Sequence, residues 1–115
     1  MSCETHDSSE LAKKKCKPCE GGMSPMSDDE IRKNLKVLNH WSYEDGVVAK
    51  TFSFKNYYET TAFVNAVVWM AHREDHHPDI SFGYKNCRVA YSTHAIDGIS
   101  ENDFICAAKI DALFA

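Results

Sequence analysis

Between residues 56 and 75 the chain has no glycine or proline, and Phe63, Val67 and Met70 recur at helical spacing beside Ala62 and Ala66. This predicts the longest helix of the chain. Pro78 disfavours helical geometry at His77, so the helix is expected to end near His76 and pass into an extended segment. There the period changes to two: Ile80, Phe82 and Tyr84 fall on one side, Ser81, Gly83 and Lys85 on the other. After a turn near Lys85 and Asn86, a strand over residues 87–93 puts Cys87, Val89, Tyr91 and Thr93 on one face. Arg88, Ala90, Ser92 and His94 take the opposite face.

Upstream, Ser27-Asp28-Asp29-Glu30 reads as a capping box, in which serine and glutamate each satisfy a free amide at a helix start. That helix is expected to run through Ile31, Leu35 and Leu38. Trp41-Ser42-Tyr43, then Glu44-Asp45-Gly46, then residues 47–54 read as strand, Asp-Gly turn and strand. Ser100-Glu101-Asn102-Asp103 is a second capping signature, opening a last helix through Phe104, Ile105, Ala108 and Leu113. The resulting order, α-β-β-α-β-β-α, suits an α+β domain: an antiparallel sheet with helices on one face and the other face open.

Residues 1–26 carry few large apolar side chains and run into Gly21-Gly22-Met23-Ser24-Pro25, the composition of a flexible leader. The domain is accordingly expected over residues 27–115, with the leader removable at little cost in stability. A length of 115 residues, with 43% hydrophobic and 26% charged, leaves room for one domain. So short a chain buries a modest share of its surface, which favours self-association.

A net charge of −4, with Lys13-Lys14-Lys15 the one basic cluster, argues against direct nucleic-acid binding, which draws its affinity from phosphate neutralisation. No apolar run reaches the roughly 18 residues of a membrane span, and the polar N-terminus lacks the apolar core of a signal peptide. A cytoplasmic protein without a membrane partner is expected. The five cysteines, Cys3, Cys16, Cys19, Cys87 and Cys106, are odd in number and read as free thiols. Cys16-Lys17-Pro18-Cys19 is a single CxxC without a second pair, a weak zinc signal.

Four of the six histidines, His72, His76, His77 and His94, lie within 23 residues of one another. One reading makes them surface or capping side chains, favoured near helix C-termini by the helix dipole. A second is metal binding by His72 and His76 at i, i+4. The intervening Arg73-Glu74-Asp75 gives H-x-E-x-H, whereas the zinc-protease helix needs glutamate directly after the first histidine. The third is acid–base catalysis, because a helix-to-strand bend lets consecutive side chains converge on one pocket. Neighbouring imidazoles split their titrations, so one can donate a proton while another accepts.

His72-x-x-x-His76-His77-Pro78, then Tyr84 after five residues, His94 after nine more and Asp103 after eight more resemble the signature of the pterin-4a-carbinolamine dehydratases. The resemblance extends over residues 27–115, including Trp41, Ser92-Thr93-His94 and residues 98–104. It implies a four-stranded antiparallel sheet with three helices on one face, assembled as a homodimer or homotetramer. It further implies catalysis by His76, His77 and His94 with Asp103 in support, and a pterin substrate held by His76, His77, Pro78, Thr93, His94, Ala95 and Ile96. The implied reaction converts a 4a-hydroxytetrahydropterin to a quinonoid dihydropterin and water, with no metal and no cofactor. His72 stands where many members have glutamate, and Ile80 and Ile96 replace a tryptophan and a cysteine of animal members. Animal members also act as dimerisation partners of a homeodomain transcription factor, which keeps a protein-binding coactivator as the alternative role.

Overall fold

The computed structural model describes residues 8–17 and 24–114. The elements are α1 (Ser8–Lys13), α2 (Asp28–Leu35), β1 (Ser42–Glu44), β2 (Val47–Ser53), α3 (Tyr57–Glu74), β3 (Asp79–Phe82), β4 (Asn86–Tyr91), a 3₁₀ turn (His94–Ile96) and α4 (Glu101–Ala112). The four strands form one antiparallel sheet in the order β1-β2-β4-β3.

Register explains why one face of this sheet is apolar. Val48 pairs with Tyr91, Lys50 with Val89 and Phe52 with Cys87, while Ile80 of β3 pairs with Val89 from the other side. Paired residues point the same way, so the alternation in each strand adds up to a continuous surface. Val48, Cys87, Val89 and Tyr91 are fully buried in it. Ile31 of α2, Phe63, Val67 and Met70 of α3, and Phe104 and Ile105 of α4 belong to the same core. On the opposite face Thr51, Ser53, Ser81 and Arg88 are exposed.

The β1–β2 turn follows the expected chemistry. Glu44 pairs with Val47, and the two residues between them, Asp45 and Gly46, have φ of 52° and 78°. Both lie in the left-handed region that a two-residue type I′ hairpin requires. Two elements stop earlier than expected. Strand β3 ends at Phe82, because the Gly83 N–H donates to the Asn86 carbonyl at 2.9 Å and turns the chain; Tyr84 is left exposed rather than continuing the alternation. Helix α2 ends at Leu35, and Leu38 reaches the core from the turn that follows.

The N-terminal segment departs from expectation. Helix α4 is apolar on every side, with Phe104, Ile105, Cys106, Ala107 and Ala108 each at most 1% exposed, so its outer face needs a cover. Helix α1 supplies that cover: Leu11 is buried, the Lys109 ammonium donates to the Ala12 carbonyl at 2.6 Å, and Lys14 pairs with Glu101 at 2.8 Å. Residues 8–17, expected to lie in a flexible leader, are thus packed on the domain. The composition of the segment concealed this, because a six-residue helix with one large apolar side chain has no periodicity to read. Leu11→Ala is expected to lower the unfolding free energy by about 2–3 kcal/mol, toward the low end for a buried leucine because α1 lies at the margin of the core. Urea unfolding measures it, and an unchanged midpoint would mean that α1 contributes nothing to stability.

Candidate active site

Helix α3 ends at a residue that changes the direction of the chain. Asp75 takes the left-handed conformation (φ 52°, ψ 42°), its N–H donates to the His72 carbonyl at 3.4 Å, and the His76 N–H donates to the Ala71 carbonyl at 3.2 Å. This pair of bonds is a Schellman termination. It carries His76 and His77 off the helix, and Pro78, buried, leads into β3. His72 stays on the helix, exposed, its ring 5.3 Å from that of Trp69. The i, i+4 spacing of His72 and His76 therefore does not place them on a common helical face. Among the described residues no group of three or more histidine, cysteine, aspartate or glutamate side chains is placed to hold a metal ion.

The second contribution comes from the end of β4. Thr93 bridges to Gly98 in antiparallel fashion, and the 3₁₀ turn His94–Ile96 fills the loop between them. A Cβ on Gly98 would stand 2.5 Å from the Cβ of Pro25, so only glycine lets the chain pass here without displacing the 24–27 segment. The turn carries exposed His94 toward His77, with the two rings 6.4 Å apart.

Asp103, fully buried in the first turn of α4, joins the two parts. Its Oδ1 lies 2.6 Å from His76 Nε2. Its Oδ2 accepts from the Thr93 hydroxyl at 2.8 Å and from the Ser100 N–H at 2.9 Å, and the Thr93 and Ser100 hydroxyls are 2.7 Å apart. Asp103 is therefore both the helix cap that its spacing from Ser100 indicates and the partner of His76. A carboxylate that accepts on both oxygens leaves the proton on His76 Nε2. Nδ1 is then the ring nitrogen available for proton exchange, and it has no partner among the described residues. Burial disfavours the imidazolium, but the hydrogen bond and charge of Asp103 outweigh it and hold the His76 pKa above the ordinary histidine value. The ring of Tyr91 stacks on His76 at 5.6 Å and 10°. Its hydroxyl is buried without a hydrogen-bond partner among the described residues, and burial, with the Cys106 thiol nearby, pushes its pKa up.

These groups surround one cavity of about 390 Å³, within the size range of small-molecule sites. His76, His77, Thr93, His94 and Ala95 line it. Of the other expected substrate contacts, Pro78 is buried and Ile96 is half-buried, and neither is among the residues lining the cavity. Trp41 lies away from it in the core, its indole N–H donating to Asp111 at 3.0 Å. Asp75 and Ser92, beside the expected residues, complete the segments 75–77 and 92–95, and sequence reasoning missed the rest of the wall, Cys16 and Lys17 with Glu74 and Asn102. Glu74 and Asn102, adjacent to expected site residues or to the turn before them, were the available signal. Cys16 Sγ stands 3.4 Å from Cys106 Sγ, and the shared hydrogen bond and burial raise its pKa. Cys16, Cys87 and Cys106 are free thiols, whereas Cys3 and Cys19, and with Cys19 the question of a CxxC site, lie outside the described residues.

The profile of the family described as pterin 4 alpha carbinolamine dehydratase matches residues 24–113. A Nitrosospira multiformis protein carrying a provisional pterin-4-alpha-carbinolamine dehydratase name is 63% identical over 105 residues, covering 91% of this chain and 93% of its own. A Nitrosomonas europaea protein with the same name is 60% identical over 106 residues, covering 91% and 94%. The first alignment is longer than residues 24–115 can supply, so it enters the N-terminal segment. Among solved structures, a transcriptional coactivator/pterin dehydratase from Brucella melitensis superposes with a TM-score of 0.76 at 26% identity, covering 80% of this chain and all of that one. A pterin dehydratase-like RuBisCO assembly factor of the alpha-carboxysome superposes at 0.54, also at 26% identity, over 64% of this chain and 84% of its own. By the family match and by these identities over nearly the whole chain, the protein belongs to the pterin 4 alpha carbinolamine dehydratase family.

Proposed function

We propose that the protein is a hydro-lyase that dehydrates 4a-hydroxytetrahydropterin to quinonoid dihydropterin, the step that returns the pterin for reduction and reuse in tetrahydrobiopterin recycling. The observation that carries this reading is the meeting of His76, His77 and His94 at one cavity, with His76 braced by buried Asp103. Loss of the hydroxyl from C4a needs a proton delivered to that oxygen and a proton removed from a ring nitrogen. His76 supplies the first from Nδ1, because Asp103 stabilises its cation and keeps Nε2–H engaged after the proton has left. His77 and His94, exposed and facing each other, take the second.

The chemistry needs neither metal nor cofactor in this scheme, the pterin being the substrate. Purified protein is expected to accelerate loss of water from synthetic 4a-carbinolamine in stopped flow, and to do so equally after dialysis against a chelator. Activity that is lost on chelation and restored by zinc would overturn the scheme.

Self-association as a homodimer or homotetramer is supported by the outer surface of α3, where Tyr58, Val68 and Trp69 are 80%, 53% and 62% exposed. The same surface is where a coactivator role, the second reading, would have to reside. No helix of the described residues is long and apolar enough to cross a membrane, which agrees with a cytoplasmic site of action.

A further inference from the structure

Residues 14–17 run past the cavity as a strap fastened at two points. The Cys16 N–H donates to Glu74 Oε1 at 2.9 Å. The Lys17 N–H donates to Asn102 Oδ1 at 3.0 Å, while Asn102 Nδ2 donates to the Lys17 carbonyl at 2.6 Å. Glu74 directly precedes the Asp75-His76-His77 turn, and Asn102 directly precedes Asp103. The strap is therefore tied to the same two elements that hold the His76–Asp103 pair. Both tying side chains are largely buried: Glu74 is 8% exposed and also pairs with Lys109 at 3.8 Å, and Asn102 is 7% exposed. Burial works against the charged form, but the hydrogen bond from Cys16 and the positive charge of Lys109 outweigh it and hold the Glu74 carboxyl below its ordinary value, so it accepts as a carboxylate.

We infer that the strap is a binding wall of the pterin cavity, with Cys16 and Lys17 touching the bound pterin and Glu74 and Asn102 acting as the residues that position them. The inference rests on the dehydratase reading. Residues 74–77, 92–95 and the start of α4 supply three parts of the cavity wall, and among the described residues the strap lines the remaining part. Two reciprocal hydrogen bonds between Lys17 and Asn102 fix the backbone of the strap rather than a flexible side-chain tip, which is what a wall of constant shape requires.

The test compares steady-state dehydration by the full chain with that by Asn102→Ala, Glu74→Ala and Glu74→Gln. KM is expected to rise about fivefold to twentyfold in both alanine variants, the change expected from the loss of one or two hydrogen bonds. kcat should stay within about threefold, since the His76–Asp103 pair is untouched. Glu74→Gln keeps an oxygen for the Cys16 N–H and should recover most of the KM. Unchanged KM in both alanine variants, or a fall in kcat alone, overturns the inference.

Should these variants fold poorly, the unaltered protein decides the matter. A dihydropterin such as 7,8-dihydrobiopterin is expected to slow amide hydrogen exchange at Cys16 and Lys17 severalfold, read by mass spectrometry of the peptide that holds them, and exchange at an unaltered rate overturns the inference. A wild-type chain that binds the dihydropterin and protects Cys16 but does not turn over carbinolamine counts against the dehydratase reading and supports the wall.

Discussion

Replacing His76 and His77 together by alanine is expected to abolish more activity than either change alone. Each single variant should lose roughly 10²–10⁴-fold in rate, the usual cost of a missing general acid or base. The two positions differ in what else they do, and this separates chemistry from folding. His76 is largely buried and bonded to Asp103, and its removal leaves a buried carboxylate facing empty space. His76→Ala should therefore unfold more easily as well as react more slowly. His77 is exposed, and His77→Ala should keep the wild-type melting curve while losing rate. Stopped-flow dehydration and thermal melts on the three variants give both readouts. Full activity in the double variant would end the assignment of acid–base roles to this pair.

Asp103→Asn and Asp103→Ala should affect stability and catalysis together, because one carboxylate serves three donors. Alanine at this position leaves His76 Nε2, the Thr93 hydroxyl and the Ser100 N–H without their acceptor, at an expected cost of about 3–5 kcal/mol. Asparagine fits the space but brings no charge to hold the His76 cation, and its amide forces a rearranged proton pattern on the ring. A loss of order 10²–10⁴ in rate is expected for Asp103→Asn, by analogy with the tautomer reversal that costs about 10⁴ in the serine-protease triad.

The pH dependence has a definite sign. His76 has a folded pKa raised above the unfolded value of about 6.5, so its contribution to stability is complete below about pH 6.5 and is lost as pH rises through the folded value. The stability gap between wild type and Asp103→Asn should therefore narrow from about pH 6 to alkaline pH in urea unfolding. A gap that widens with pH would show that the pair does not hold the imidazolium.

Helix α3 was legible because its 18 residues repeat a helical pattern without a breaker, and β4 because Cys87, Val89 and Tyr91 alternate with shorter or polar neighbours. Both are local properties of the chain. The His76–Asp103 contact is not local: it spans 27 residues, and only the resemblance to a known signature brought the two side chains together before the fold did. The left-handed turn at Asp75 was visible only as the helix boundary imposed by Pro78, because an aspartate in that conformation has no unique sequence mark. Cys16 and Lys17 could be read only as part of a CxxC, and their place at the cavity stayed hidden for a stronger reason. Their places are set by Glu74 and Asn102, 58 and 85 residues away, and a segment without an apolar stripe of its own announces no destination.

The bond from Lys109 to the Ala12 carbonyl spans 97 residues and joins α4 to α1. During vectorial synthesis the N-terminal helix emerges first and has nothing to rest on until α4 leaves the ribosome. Closing so wide a loop costs more chain entropy than a local contact does. Because the strap follows α1 directly and one of its two anchors is Asn102 of α4, a nascent chain cannot assemble a complete cavity until α4 has been added.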